Sequence, residues 1–214
     1  MTEISPMKHP GDYITESQAR AIINNACNIK YKALFSILWD TGARIGEVLK
    51  IRKKDIDKDK CMITMPIEKR KGNLTKTVPV TKETMDLIEE YLKRWRVLNR
   101  NAIGDEKELL FPCSYKTVYE ELEVMCRKAG VKFGRGGVHF HSFRHGFAVR
   151  FIKKCFELGQ AANPYYQMVL RDILGHSSVS MTEKYVHVPT DMMKSTYNKI
   201  IGNKGDIDDE DKGV

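Results

Sequence analysis

Between Val138 and Val188 the chain carries residues suited to one kind of chemistry, the handling of a phosphate ester. His141-Ser142-Phe143-Arg144 places a histidine and an arginine three apart, so on a helix both project from one face. Leu174-Gly175-His176-Ser177-Ser178 follows an apolar run and holds a second histidine in a turn. Tyr185 comes nine residues later, within Glu183-Lys184-Tyr185-Val186-His187-Val188. Upstream, Thr41-Gly42-Ala43-Arg44-Ile45-Gly46-Glu47 adds a second arginine, with a glutamate about one helical turn on. Arginine gives forked hydrogen bonds to phosphate without losing its charge. Histidine donors suit a crowded, doubly charged transition state, and a phenol is a nucleophile once deprotonated.

Taken in order, these residues resemble the tyrosine recombinases, or phage-type integrases. The catalytic domain of that family carries Arg, a hairpin Lys, His-x-x-Arg, His or Trp, and a nucleophilic Tyr. The matching positions here are Arg44, Lys71, His141, Arg144, His176 and Tyr185, and the resemblance runs from about Ile14 to Val188. It implies a site-specific recombinase catalytic domain that cleaves and rejoins DNA through a 3′-phosphotyrosyl intermediate, without metal, ATP or other cofactor. In that reading Arg44 and Arg144 neutralise the phosphate, and His141 and His176 donate to it. Tyr185 attacks, and the hairpin lysine protonates the departing 5′-oxygen; Lys71, which precedes Gly72-Asn73, fits that position best, with Lys69, Arg70 and Lys76 near enough to compete. Glu47 orients Arg44 or His141. Lys69, Arg70 and Lys76, around the same hairpin, and Arg135 in Gly134-Arg135-Gly136-Gly137 are expected to contact double-stranded DNA. The family further implies a tetramer on DNA, monomeric when free. A phenol of ordinary pKa, ~10, needs nearby cations or a base to react at neutral pH.

Plainer readings stand beside these. Arg44 with Glu47 could be a helix-surface ion pair, His141 a helix-capping histidine, and Lys69 to Lys76 a solvated basic turn. Tyr165, Tyr166 and Tyr197 compete with Tyr185, and it is the family's spacing from the second histidine that selects Tyr185. His145 and His187 read as packing or supporting groups, and His139 as outside the primary set. A metal cluster built on His139, His141 and His145 is disfavoured, because Arg144 stands where a carboxylate ligand would be and a cation repels a divalent ion. Two other functions share the motif: type IB topoisomerase-like DNA relaxation, and a DNA-binding regulator that does not cleave. Leu-Gly-His-Ser favours the recombinases over the first, and an intact Tyr185 speaks against the second.

Composition is compatible with this reading. The 214 residues are 42% hydrophobic and 30% charged, enough for a real core. No apolar run approaches the ~18 residues of a membrane span, and Met1–Tyr13 lacks the apolar core of a secretory signal. Five cysteines, none in a Cys-x-x-Cys pair, argue against a zinc ribbon or a disulfide framework and favour a reducing cytoplasm; the resemblance implies association with the nucleoid there. The net charge is +8. Residues 204–214 hold five acids and two lysines, a net of −3, which leaves +11 on residues 1–203. A basic body suits a polyanionic partner.

The elements that must position these groups follow from periodicity and caps. The fold expected is mainly α (α+β), a tyrosine-recombinase-like helical domain with a small antiparallel β-sheet or hairpin. Thr15 should cap a first helix, and Tyr31 to Trp39 should form a buried one that Gly42 ends, so that Arg44 opens the next. Met62–Ile67 and Thr75–Val80 alternate like strands around a polar turn, and their prolines suggest edge positions. Thr81 and Ser114 should cap helices reaching about Asn99 and Ala129. Further helices are expected over 142–158, 164–174, 179–186 and 192–201. The chain then divides into an N-terminal arm (1–13), a catalytic domain (14–188), a C-terminal helix (189–203) and an acidic disordered tail (204–214). The apolar stripe Met192, Met193, Tyr197, Ile200 and Ile201 either packs on its own domain or docks in trans. Full-length members of the family carry an N-terminal DNA-clamping domain before the catalytic one, a pattern from which residues 1–13 depart.

Overall fold

The computed structural model describes residues 13–68, 74–98, 108–158 and 165–175. Its helices are α1 (Glu16–Asn24), α2 (Ile29–Thr41), α3 (Ile45–Val48), α4 (Lys82–Leu98), α5 (Tyr115–Lys128), α6 (Phe140–Glu157) and α7 (Tyr166–Leu174). Three strands, β1 (Ile56–Asp57), β2 (Met62–Pro66) and β3 (Thr75–Pro79), lie between α3 and α4 after a short 3-10 turn at Lys53–Asp55. The mainly helical fold with a small antiparallel sheet is the one the sequence predicts. The expected arm, the helices over 179–186 and 192–201 and the acidic tail lie outside the described residues, apart from Tyr13 at the arm's end.

The helix starts are set by side-chain caps. At α1 the Thr15 hydroxyl accepts from Gln18 N (3.3 Å) and the Gln18 side chain accepts from Thr15 N (3.0 Å), a reciprocal capping box. Ser114 accepts from Thr117 N at the start of α5, and Thr81 accepts from Thr84 N at the start of α4. Asp40, at the end of α2, accepts from both Thr81 N (2.9 Å) and Thr81 Oγ1 (2.7 Å), so one carboxylate ties the end of α2 to the start of α4. One start differs from expectation. α6 begins two residues earlier than predicted, and its cap is His139, whose Nδ1 accepts from Ser142 N at 3.2 Å.

Helix α2 is apolar around most of its circumference, and it is buried accordingly. Ala33, Leu34, Phe35, Ile37 and Leu38 are all fully inaccessible, and α1, α4 and α6 pack around the helix. Phe35 stacks on Phe140 (6.3 Å between centroids) and lies tilted against Phe143 (5.6 Å), which joins α2 to the first turn of α6. Burial of side chains of this size stabilises by about 1.5–3 kcal/mol each. A second, smaller cluster, Phe147, Ala148, Ile152, Leu170 and Leu174, seats α7 on α6.

The sheet has the order β1-β2-β3, antiparallel throughout, with Ile63 opposite Val78 and Met65 opposite Lys76. Ile63, Met65, Lys76 and Val78 face inward, as the period of two requires. The expectation that both prolines mark edges is corrected in one case. Pro66 closes the central strand, but β1 pairs only with Met62 and Ile63, so Pro66 lies beyond its reach. Pro79 does end an edge strand.

Gly42 ends α2 in the left-handed region (φ 59°), and a Cβ there would sit 2.7 Å from the Phe147 ring and 2.9 Å from Leu174. Backbone conformation and packing both exclude a side chain. Gly42→Ala is expected to destabilise the domain by about 2 kcal/mol or more, read as a lowered midpoint in urea unfolding with an unchanged slope.

Candidate active site

The bend at Gly42 delivers the chain to Arg44, which is the N-cap of α3. Glu47, at the third position of that helix, reaches back and accepts from Arg44 N through Oε2 (3.1 Å), which fixes the start of α3. The same carboxylate accepts from Arg44 Nη1 through Oε1 (3.1 Å), so backbone and side chain of one arginine are held together. Two further groups complete its shell. Glu68 N donates to Oε1 (3.2 Å), and Lys76 Nζ stands 3.0 Å from Oε2. Glu47 is wholly buried, whereas the Arg44 side chain keeps 15% exposure. The pair is therefore not a solvated ion pair on a helix surface.

Lys76 arrives from β3. Its ammonium also donates to the Ile173 carbonyl at 2.9 Å, in the last turn of α7. A DNA-facing place for Lys76 is thereby corrected: its side chain is 5% exposed, because strand alternation turns it to the same face as Val78. Arg144, from α6, is 4% exposed and donates through Nη1 to the Gly42 carbonyl and through Nη2 to the Leu174 carbonyl, both at 2.9 Å. It thus holds the end of α2 against the end of α7. His141, three residues earlier on α6, is exposed, and its ring lies 6.1 Å from that of His139. Capping at this helix end belongs to His139 and leaves His141 on the surface of the first turn.

Of the expected site residues, the structure brings Arg44, Glu47 and Lys76 into one cluster, with Arg144 close enough to Lys76 to act on its charge. Arg135 is exposed in the turn between α5 and α6, where Phe133 pairs with Val138. Lys69, Arg70, Lys71, His176 and Tyr185 lie outside the described residues. Tyr165 and Tyr166 fall at the opposite end of α7 from the carbonyls that Arg144 and Lys76 hold, about 12 Å along the helix axis. The part played by Lys76 went unread in the sequence. Its signal was the inward phase of Thr75–Pro79, which sets a lysine opposite buried Met65.

The electrostatics follow from these contacts. Burial alone would raise the Glu47 carboxyl. The Lys76 ammonium, by charge and hydrogen bond, with the N–H groups of Arg44 and Glu68, outweighs it and holds the carboxyl below its usual range. For Lys76 the balance tips the other way: burial lowers its proton affinity, Glu47 opposes this, and Arg144 and Arg44 add to the lowering. The nitrogen faces two acceptors, a carboxylate and a carbonyl, and the charge of the carboxylate favours the ammonium form. Two cations on one carboxylate, with Arg144 near Lys76, leave the cluster net positive, and the partly exposed Arg44 directs that charge to the surface.

The acid side of this network can be tested. The unfolded Glu47 carboxyl titrates near ~4.3, and the folded one lies lower, so between the two values the unfolded chain binds more protons and stability rises with pH. The contribution is complete above the unfolded value and is lost as pH falls through the folded one. Glu47→Gln should cost about 3–5 kcal/mol near neutrality by leaving Lys76 uncompensated. In urea unfolding from pH 6 down to pH 3, its gap to the native protein should narrow.

Comparison with known proteins places this arrangement. Residues 12–192 match the model of the phage integrase family. Tyrosine recombinase XerA of Saccharolobus solfataricus is 26% identical over 190 residues, which cover 89% of this chain and 57% of that protein. Among solved structures, XerH site-specific recombinase bound to a palindromic difH substrate, a post-cleavage complex, superposes with a TM-score of 0.67 at 20% identity, over 89% of this chain and 53% of that one. The catalytic domain of bacteriophage HP1 integrase does so with a TM-score of 0.58 at 21% identity, over 91% of this chain and 98% of that one. This chain spans less than two thirds of the XerA relative, and its match runs through every element that builds the Glu47 cluster. The chain belongs to the phage integrase family.

Proposed function

We propose that this chain is the catalytic domain of a site-specific DNA recombinase, cleaving and rejoining strands through a phosphotyrosyl intermediate. The observation that carries the reading is the guanidinium of Arg44, fixed by a wholly buried carboxylate and still partly exposed, in a cluster of net positive charge. Such a cation is pre-oriented toward an anion. At a scissile phosphate it would neutralise a non-bridging oxygen, with Arg144 serving the second. His141, exposed on the first turn of α6, and His176 would donate to the pentavalent transition state. Tyr185 would attack phosphorus, displacing the 5′-oxygen and conserving the ester for religation.

Lys71 is the proton donor to that leaving oxygen in this scheme. The buried, doubly engaged Lys76 is unsuited to the task, which favours the hairpin tip, where Lys69 and Arg70 would contact the DNA backbone. Arg135 would do so from the α5–α6 turn. Glu47 orients Arg44. Charge neutralisation by two arginines makes a metal or nucleotide unnecessary for the chemistry. The partner is double-stranded DNA, the polyanion that the net positive cluster suits, and the working assembly is a tetramer on DNA formed from free monomers. The segment 189–203 would dock on a neighbour. The acidic tail 204–214 and the arm 1–13 flank the catalytic unit 14–188, which acts in the cytoplasm at the nucleoid.

The test uses nicked duplexes with a randomised core, from which the cleaved fragment diffuses away, analysed on denaturing gels without added metal. The native protein should form a covalent adduct and Tyr185→Phe none. An adduct that persists in Tyr185→Phe would move the nucleophile elsewhere. In parallel, non-covalent affinity for duplex DNA should fall steeply between 50 and 200 mM salt, by about a thousandfold if six or more phosphates are contacted; a flat response would overturn the basic-surface argument.

A further inference from the structure

The four hydrogen bonds and ionic contacts to Glu47 are distributed two to each oxygen. Oε1 receives Arg44 Nη1 and Glu68 N, and Oε2 receives Arg44 N and Lys76 Nζ. A carboxylate offers about four lone-pair sites, so this shell is full. Two of the four donors are backbone N–H groups and cannot move without the chain. The remaining two are the Arg44 guanidinium and the Lys76 ammonium, the only charged partners of Glu47 among the described residues.

We propose that Lys76 is a positioning residue for the strand-transfer reaction: by holding Glu47 from one side and the Ile173 carbonyl from the other, it leaves Arg44 turned toward the phosphate. A carboxylate with no solvent exposure cannot stay half-compensated. With Lys76 absent, the nearest remaining cation is the guanidinium of Arg44, already 3.1 Å away at Oε1, and the vacant site on Oε2 would draw it inward. The lysine therefore acts through Arg44 and not on the substrate. Its second contact gives that effect a reach. Ile173 lies 97 residues from Lys76, in the last turn of α7, and the next carbonyl, of Leu174, is held by Arg144. The segment carrying Arg44 and the helix end that leads into Gly175-His176 are thus fixed relative to each other by two cations from different elements.

This inference rests on the recombinase reading, and the experiment separates the two. Single-turnover adduct formation is measured for native protein, Lys76→Met and the double variant Lys76→Met/Glu47→Gln. Each is tested on a nicked phosphodiester and on the same duplex with a neutral methylphosphonate at the scissile position. Lys76→Met should be about a hundredfold slower on the phosphodiester, the usual result of a misplaced reacting group. It should come within a few fold of the native rate on the methylphosphonate, which lacks the charge that Arg44 neutralises. The double variant, with no carboxylate to capture Arg44, should be faster on the phosphodiester than Lys76→Met. Native rates for Lys76→Met on the phosphodiester would overturn the proposal. So would equal slowing on both substrates, which would signal a general structural role. If the native protein forms no adduct on either duplex, the recombinase reading fails by itself. The positioning claim is then decided by the Arg44 side-chain N–H resonances, assigned with Arg44→Lys: a shift in Lys76→Met upholds it, and an unchanged spectrum overturns it. Should Lys76→Met not fold, Lys76→Gln, which retains a donor for the Ile173 carbonyl, is read in its place.

Discussion

A carboxylate removed from water must be surrounded by donors, and much of the architecture around Gly42 can be traced to that requirement at Glu47. The need for a backbone N–H fixes where α3 starts, at Arg44. The need for a second N–H draws in Glu68, just past the end of β2. The need for a full positive charge is met from β3, where a lysine takes an inward place otherwise suited to an apolar residue. Sheet and short helix are joined through the Glu47 side chain, and Lys76 extends the link to the end of α7. Buried ion pairs rarely contribute much net stability over a well-packed apolar alternative. The return here is geometric, since the arginine beside the carboxylate is held in one orientation.

Helix ends supply the other half of the construction. The last carbonyls of a helix have no partner of their own and carry its partial negative charge. In α7 those of Ile173 and Leu174 are met by Lys76 and Arg144, and Gly175 turns the chain away in the left-handed region (φ 68°). The Gly42 carbonyl, where α2 ends, takes the other arm of Arg144. The cations of the cluster are thus kept in place by backbone acceptors that would otherwise require capping. A guanidinium, with five N–H groups in one plane, can bridge two such carbonyls and so define its own orientation.

Local rules made much of this readable from the chain. The caps at Thr15, Thr81 and Ser114, the break at Gly42 and the alternating strands all depend on neighbours within a few residues, and each lies where those rules put it. The family motif also located Arg44, Glu47 and Arg144, which the fold gathers around the ends of α2 and α7. What the sequence did not disclose depends on distant partners. Lys76 reads locally as one more cation near a basic turn, and only the packing of β3 against α7 reveals it as an interior residue. His139 and His141 are two apart and chemically identical, so the choice of cap depended on where α6 begins. The two-residue strand β1 is too short for its periodicity to register, so the central place of β2 went unread.

The bonds that hold the two interior cations also bear on how the domain comes into being. Arg144 grips carbonyls 102 residues before it and 30 after it, and Lys76 reaches forward across 97. Contacts this far apart in the chain form late, once the entropy of closing long loops has been met by other packing. Until α7 has been synthesised and seated, each cation lacks one of its two partners, the Ile173 carbonyl for Lys76 and the Leu174 carbonyl for Arg144. A nascent or partly folded chain would therefore hold the right residues without a competent arrangement of them. The last contacts of the site and the completed fold therefore arise together.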